Sequence, residues 1–158
     1  RSSTGAMARL QAKNSPHVVE IDYSFNEAVF EVELLELEGG ATIHSYSLHN
    51  VLAEKMRSLL QQPIRKRKRR QDVYDIWLLL ASVEAFTAEE QAQIHQMLVD
   101  SCRSKGIEPT AASMDDKGVV EMAREGYAGL RDDVDGELPD FDEAMAQVRA
   151  LYRSLPWS

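Results

Sequence analysis

The spacing of apolar residues divides the chain into an extended part and a helical part. From His17 to Phe25 (HVVEIDYSF), apolar and polar residues alternate, which predicts a strand with Val19, Ile21 and Tyr23 on one face. Val29 to Leu37 repeats the pattern, with Phe30, Val32 and Leu34 opposing Glu31 and Glu33. Gly39-Gly40 marks a turn and Ala41 to Tyr46 a third short strand, so the three read as an antiparallel meander, too small to stand alone. From Ser47 onward the period becomes helical. Ser47 caps a helix reaching about Gln62, where Pro63 should end it. A second helix covers Gln71 to about Val83. Thr87, with Glu90 three residues on, forms a capping box that opens a third helix lasting to Lys105. Beyond the breakers Gly106 and Pro109, a fourth helix is expected from about Asp115 to Leu130. Asp140 caps a fifth, in which Phe141, Ala144, Met145, Val148, Leu151, Tyr152 and Leu155 keep helical spacing up to Pro156. The expected fold class is α+β, a small antiparallel sheet followed by a five-helix bundle.

Three segments follow from this pattern. Residues 1–7 (RSSTGAM) are small, polar and patternless and read as a cloning scar; 8–46 form the strand region; 47–158 form a C-terminal helical domain. The 158 residues, 44% of them hydrophobic, are enough for one ordinary domain with a real core. No run approaches the ~20 apolar residues of a membrane span, and the opening residues do not resemble a secretory leader. The single cysteine, Cys102, excludes an internal disulfide and fits a reducing cytoplasm; its place on an apolar helical stripe predicts a buried thiol rather than a nucleophile. His17, His44, His49 and His95 have no ligand spacing, so no zinc site is expected.

Charge adds an asymmetry. Residues 1–85 hold 11 Lys+Arg against 11 Asp+Glu, whereas residues 86–158 hold 7 against 15, so the whole net charge of −8 lies in the second part. That acidic half reads as a solvated helical surface or as a face for a basic partner. Within the neutral half, Arg65 to Arg70 (RKRKRR) forms one dense basic block. It is a solvated interhelical loop, a patch that contacts phosphates of nucleic acid or a nucleoside triphosphate, or, from composition alone, a nuclear-import signal.

Three residues stand out chemically. On a projection of ~100° per residue, the first helix has an apolar sector from Val51 through Leu48, Leu59, Leu52 and Met56 to Leu60, and Lys55 falls inside it. A buried ammonium needs an acidic partner or an anion, unless its stem packs and its head reaches water. The second helix is apolar nearly all round, yet Asp72 and Asp75 share a face at its first turn. The helix macrodipole explains Asp72 well and Asp75 less well. An antiparallel hairpin of the two helices would bring Lys55 to both aspartates, as a structural ion pair or as the edge of a site. Asp22 lies on the strand face opposite Val19, Ile21 and Tyr23, and is either solvent-exposed or a metal-binding carboxylate.

With these residues in view, Tyr46–Leu60 (YSLHNVLAEKMRSLL) followed by Arg69–Leu80 (RRQDVYDIWLLL) resembles the AbiEii/AbiGii-type nucleotidyltransferase toxins. Their pattern is a leucine-led helix with an E-K-L/M-R-A-L-L core, a basic loop, and R-x-D-x-Y-D-L/I-W-x-L. The tail is similar too, at Leu130–Val134, Glu137–Phe141 and Leu155–Trp157. The resemblance implies a polymerase-β-like core with a C-terminal helical domain, in a bacterial or archaeal cytoplasmic toxin of a toxin–antitoxin or abortive-infection system. It implies a metal-dependent transfer of a nucleotide from NTP, with Mg²⁺, to an acceptor such as tRNA or another RNA, and a cognate antitoxin as partner.

Residue by residue, Lys55 matches the motif lysine, expected to contact nucleotide phosphate. Asp72 matches the following motif aspartate, with Asp75 just behind it, and Asp22 sits where such folds carry a third, metal-binding carboxylate. Arg65, Arg67, Arg69 and Arg70 are the expected nucleotide- or RNA-binding residues. The family's G-G-T/A-x-L segment and D-x-D/E-L pair have no counterpart here; Gly39-Gly40-Ala-Thr42 imitates the first but occupies a turn after Asp22. The chain therefore reads as a C-terminal portion, inactive by itself, with an open sheet edge through which it could form a homodimer. Two readings without catalysis stand beside this one: a nucleic-acid-binding module built on the basic block, and a helical protein-interaction module.

Overall fold

In a computed structural model the backbone is described for residues 6–11, 18–23 and 32–157, and side chains for residues 32–157. Four strands precede five helices: β1 (Ala6–Gln11), β2 (Val18–Tyr23), β3 (Val32–Glu36), β4 (Thr42–Tyr46), α1 (Leu48–Arg65), α2 (Arg70–Leu80), α3 (Ala88–Ser104), α4 (Lys117–Arg124) and α5 (Phe141–Ser154). Short 3₁₀ segments lie at Ser113–Asp115 and Tyr127–Asp132. The class is α+β, as the pattern predicts. Among the described residues no helix is long and apolar enough to cross a membrane.

Strand pairing differs from a single meander. β1 pairs antiparallel with β2, Ala8 opposite Ile21, and β3 pairs antiparallel with β4, Leu35 opposite Ile43, giving two separate two-stranded sheets. β1 begins at Ala6, inside the segment read as a scar, and its AMARLQ sequence lacks the β-branched signal by which strands are recognised. The β3–β4 turn needs left-handed backbone at Gly39 and Gly40 (φ 94° and 79°), which glycine adopts without steric penalty. Six of the eight exposed large hydrophobic residues, Val32, Leu34, Leu35, Leu37, Ile43 and Tyr46, belong to this hairpin, so its apolar surface is uncovered among the described residues.

The helices share one core. Leu52, Met56 and Leu59 of α1, Val73 and Ile76 of α2, Ile94 and Leu98 of α3, and Val148 and Tyr152 of α5 are fully buried. Each such side chain contributes roughly 1.5–3 kcal/mol of transfer free energy. Caps hold the helix starts as expected: Ser47 accepts from the Asn50 amide, Thr87 and Glu90 make a reciprocal capping box, and Asp140 accepts from the Asp142 amide. At the C-terminus Trp157 tilts against Tyr152, meets His95 edge-on at 4.5 Å and donates to the Tyr152 carbonyl at 2.6 Å.

Two boundaries differ from expectation. α1 continues through Pro63 to Arg65, ending in a left-handed residue at Lys66 (φ 52°). Proline lacks the N–H that would bond the Leu59 carbonyl. The Gln62 side chain supplies that donor, with its Nε2 3.0 Å from Leu59 O and 3.2 Å from Val119 O, while its Oε1 accepts from the Arg69 amide at 2.7 Å. The expected single helix from Asp115 to Leu130 is broken, because Gly126 turns left-handed (φ 78°) between α4 and the 3₁₀ segment. A Cβ on Gly126 would stand 2.7 Å from Arg70 Nη1, which donates to the Gly126 carbonyl, so a cation from α2 fills the space that a side chain would need.

Candidate functional site

α1 and α2 pack side by side, and their polar inner edges meet at one point. Lys55 Nζ donates to Asp72 Oδ1 at 3.2 Å and to Asp75 Oδ2 at 2.5 Å. The three side chains are 24%, 13% and 25% exposed, so this is a partly buried cluster and not a surface pair. The apolar sector of α1 carries Lys55 inward; the three-residue spacing on α2 aims both carboxylates back at it.

One cation facing two carboxylates sets the electrostatics. Burial by itself pulls the Lys55 ammonium down, but the hydrogen bond to Asp75 and the charges of both aspartates outweigh it and hold the lysine above its ordinary value. Asp72 is also shifted upward, chiefly by burial; Asp75 adds to the shift, and the attraction of Lys55 and Arg69 does not cancel it. Its second oxygen, Oδ2, is buried and has no hydrogen-bond partner.

A pocket of about 270 Å³ opens beside the cluster, lined by Tyr46, Asn50, Val51, Glu54, Lys55, Ser58 and Asp72. Asn50 is 1% exposed, and its Oδ1 likewise has no partner. Glu54 is fixed from behind by the Ser101 hydroxyl and by Arg57 Nη2 at 2.5 Å, while Arg57 Nη1 reaches Gln61 at 2.8 Å. Tyr46, at the end of β4, brings the exposed hairpin to the pocket mouth. Sequence reasoning singled out none of Tyr46, Asn50 or Ser58 as site residues. The signal available was the polar Asn50 inside the first turn of α1, where a cap contact explains it equally well.

The basic block is divided in its roles. Arg65, Lys66 and Arg67 are exposed with no ion pair among the described residues, and Lys68 pairs with Glu125. Arg69 and Arg70 are half-buried. Burial depresses the Arg69 guanidinium, which Asp72 partly offsets. Arg70 is the strut to Gly126. Asp22 lies in β2 opposite Met7, and its side chain falls outside the described residues. Cys102 is fully buried, its thiol pushed up to about 12 by burial, as an inert core residue should be.

An incompletely compensated ionic cluster thus lies beside an open pocket, where the end of β4 meets α1 and the first turn of α2. The family described as "Nucleotidyl transferase AbiEii toxin, Type IV TA system" matches residues 3–147. The chain belongs to that family of nucleotidyltransferase toxins. No curated protein and no solved structure matches it.

A nucleotidyltransferase family suggests a divalent metal, but the described residues do not fit one. Among them no three His, Cys, Asp or Glu side chains converge, and the Lys55 ammonium stands between the two aspartates where a cation would bind.

Proposed function

We propose that this chain supplies the nucleotide- and RNA-facing helical wall of a nucleotidyltransferase toxin that transfers a nucleotide from NTP to an acceptor such as tRNA. The observation that carries this is the Lys55–Asp72–Asp75 cluster at the pocket edge, within the residues 3–147 that match the family. In this reading Lys55 is held by the aspartates until nucleotide phosphate replaces one of them, and the more exposed Asp75 is the one to yield. The family's glycine and D-x-D/E-L motifs have no counterpart in these 158 residues, so the chain by itself binds nucleotide without transferring it. Metal-dependent chemistry then belongs to carboxylates other than Asp72 and Asp75, and Asp22 is the candidate in this sequence. As a toxin of a toxin–antitoxin system, the protein would have a cognate antitoxin, and the acidic half is the face for a basic partner.

The test is nucleotide binding and transfer by the chain with Mg²⁺, labelled NTPs and total RNA. Binding without transfer is expected, with Lys55→Ala weakening binding by at least ~10-fold, the loss of one charged hydrogen bond. Transfer by this chain, or binding indifferent to Lys55→Ala and Asp72→Asn together, refutes the reading.

A second reading, an RNA-binding module without catalysis, is favoured by the exposed Arg65, Lys66 and Arg67. Under it, RNA affinity falls steeply with salt, and replacing these residues by Gln reduces the log–log slope by roughly 0.7 to 0.9 for every phosphate that is no longer neutralised. An unchanged slope removes it.

A further inference from the structure

The β3–β4 hairpin presents an uncovered surface in which apolar and acidic residues are mixed and no base is present. Residues 32–46 hold three glutamates, Glu33, Glu36 and Glu38, and no lysine, arginine or proline. All three glutamates are exposed, and none forms an ion pair among the described residues. Between and beside them stand the exposed Val32, Leu34, Leu35 and Leu37. Among the described residues β3 has β4 as its one hydrogen-bonded neighbour, so the N–H and C=O groups of its outer edge have no strand partner. Such an edge is a template for a further strand, and covering its apolar side chains is favourable.

Charge decides which strand the edge accepts. Burying an unpaired carboxylate is costly, so the occupant has to bring cations to Glu33 and Glu36. A second copy fails that requirement, since it presents the same carboxylates and a net charge of −8. The β1–β2 hairpin fails as well: its strands hold Arg9 against Glu20 and Asp22, and Arg9 already lies opposite Glu20. A nucleic acid or an anionic membrane is repelled by the unpaired glutamates.

We propose that the outer edge of β3 accepts, by strand addition, a segment of a partner protein that carries two basic residues three positions apart with apolar residues between them. The spacing follows from β3 itself. Glu33 and Glu36 are three apart in an extended strand, so they belong to opposite faces of the sheet. Leu34 and Leu35, between them, divide across the two faces in the same way. A basic residue opposite each glutamate and an apolar one opposite each leucine satisfies both faces, in either strand direction.

The experiment is a two-dimensional NMR titration of the isotope-labelled chain with two end-blocked peptides, TKVVKVT and TEVVEVT. The lysine peptide should shift amide resonances of residues 32–46 and slow hydrogen exchange along β3. It should bind at least ~10-fold more tightly than the glutamate peptide, because two attractive cross-strand pairs are exchanged for two repulsive ones. Glu33→Lys combined with Glu36→Lys should reverse that order. Equal binding of the two peptides, no binding at millimolar concentration, or shifts confined to the acidic residues 86–158 each overturns the proposal. So does an order unchanged in the double variant. Slow exchange along the β3 edge of the free chain also overturns it, the edge then being covered by this chain or, where light scattering gives a dimer, by a second copy. The peptide comparison uses unmodified protein, so it decides the matter even where the double variant folds poorly.

Discussion

Replacing Gln62 with leucine tests the account of how α1 carries a proline and positions the basic loop. Gln62 is 1% exposed, and its amide serves three backbone groups: the carbonyls of Leu59 and Val119 and the N–H of Arg69. Leucine keeps the volume but leaves the Leu59 carbonyl and the Arg69 N–H without that partner, while the Val119 carbonyl keeps its bond within α4. A buried unsatisfied group costs ~1–3 kcal/mol. Residues 63–68 are exposed, so water reaches the neighbouring chain and the low end applies. The sum is about 2 kcal/mol, a large share of the ~5–15 kcal/mol typical of a domain. Urea unfolding followed by far-ultraviolet circular dichroism should show the midpoint falling by roughly 0.7–2 M, with an unchanged slope of ~1–3 kcal/mol/M. A second substitution isolates the proline. Pro63→Ala restores the backbone donor to Leu59, so it should be about 1 kcal/mol more favourable in the Gln62→Leu background than in the wild type. Strict additivity, or a Gln62→Leu loss below ~0.5 kcal/mol, would mean that Gln62 does not stand in for the missing N–H.

Three further expectations follow from the same geometry. Lys55→Met leaves Asp72 and Asp75 facing one another unneutralised, so the variant should lose ~3–5 kcal/mol at neutral pH and regain stability on acidification; a pH-independent melting temperature contradicts this. His95, packed against Trp157, has its protonated form disfavoured by burial, so its folded pKa lies below the unfolded value near 6.5. Its contribution is therefore complete above that value and declines as pH falls below it, and His95→Gln should flatten the acid limb of a stability–pH curve. Cys102 should resist a thiol reagent at pH 8 in the native protein and react at once in denaturant, as a fully buried thiol pushed up to about 12 requires; native-state labelling within minutes refutes its burial.

Local signals were the legible part of this fold. Ser47, Thr87 with Glu90, and Asp140 cap the helices as expected, because a cap depends only on residues two or three positions apart. The meeting of Lys55 with Asp72 and Asp75 was legible for a related reason: a lysine in an apolar sector demands an acid, and the next helix offers two. What escaped depends on distant contacts. Pro63 reads as a stop unless Gln62 is known to be held in place by the Val119 carbonyl, 57 residues further on. The break at Gly126 follows from Arg70 arriving there from 56 residues away. β1 owes its strand to pairing with β2 and not to its own composition. Asn50 and Tyr46 line a pocket only once α2 brings Asp72 beside them.

The loop that displays the exposed cations Arg65, Lys66 and Arg67 is anchored on both sides of them. Before it, Gln62 seizes the Arg69 amide; after it, Lys68 engages Glu125 and Arg70 clasps the Gly126 carbonyl. Arg65, Lys66 and Arg67 thus stand on a preset platform and not on a floppy tail of the same composition. A polyanion docking there would freeze little backbone motion, and so would keep more of its electrostatic attraction as net affinity.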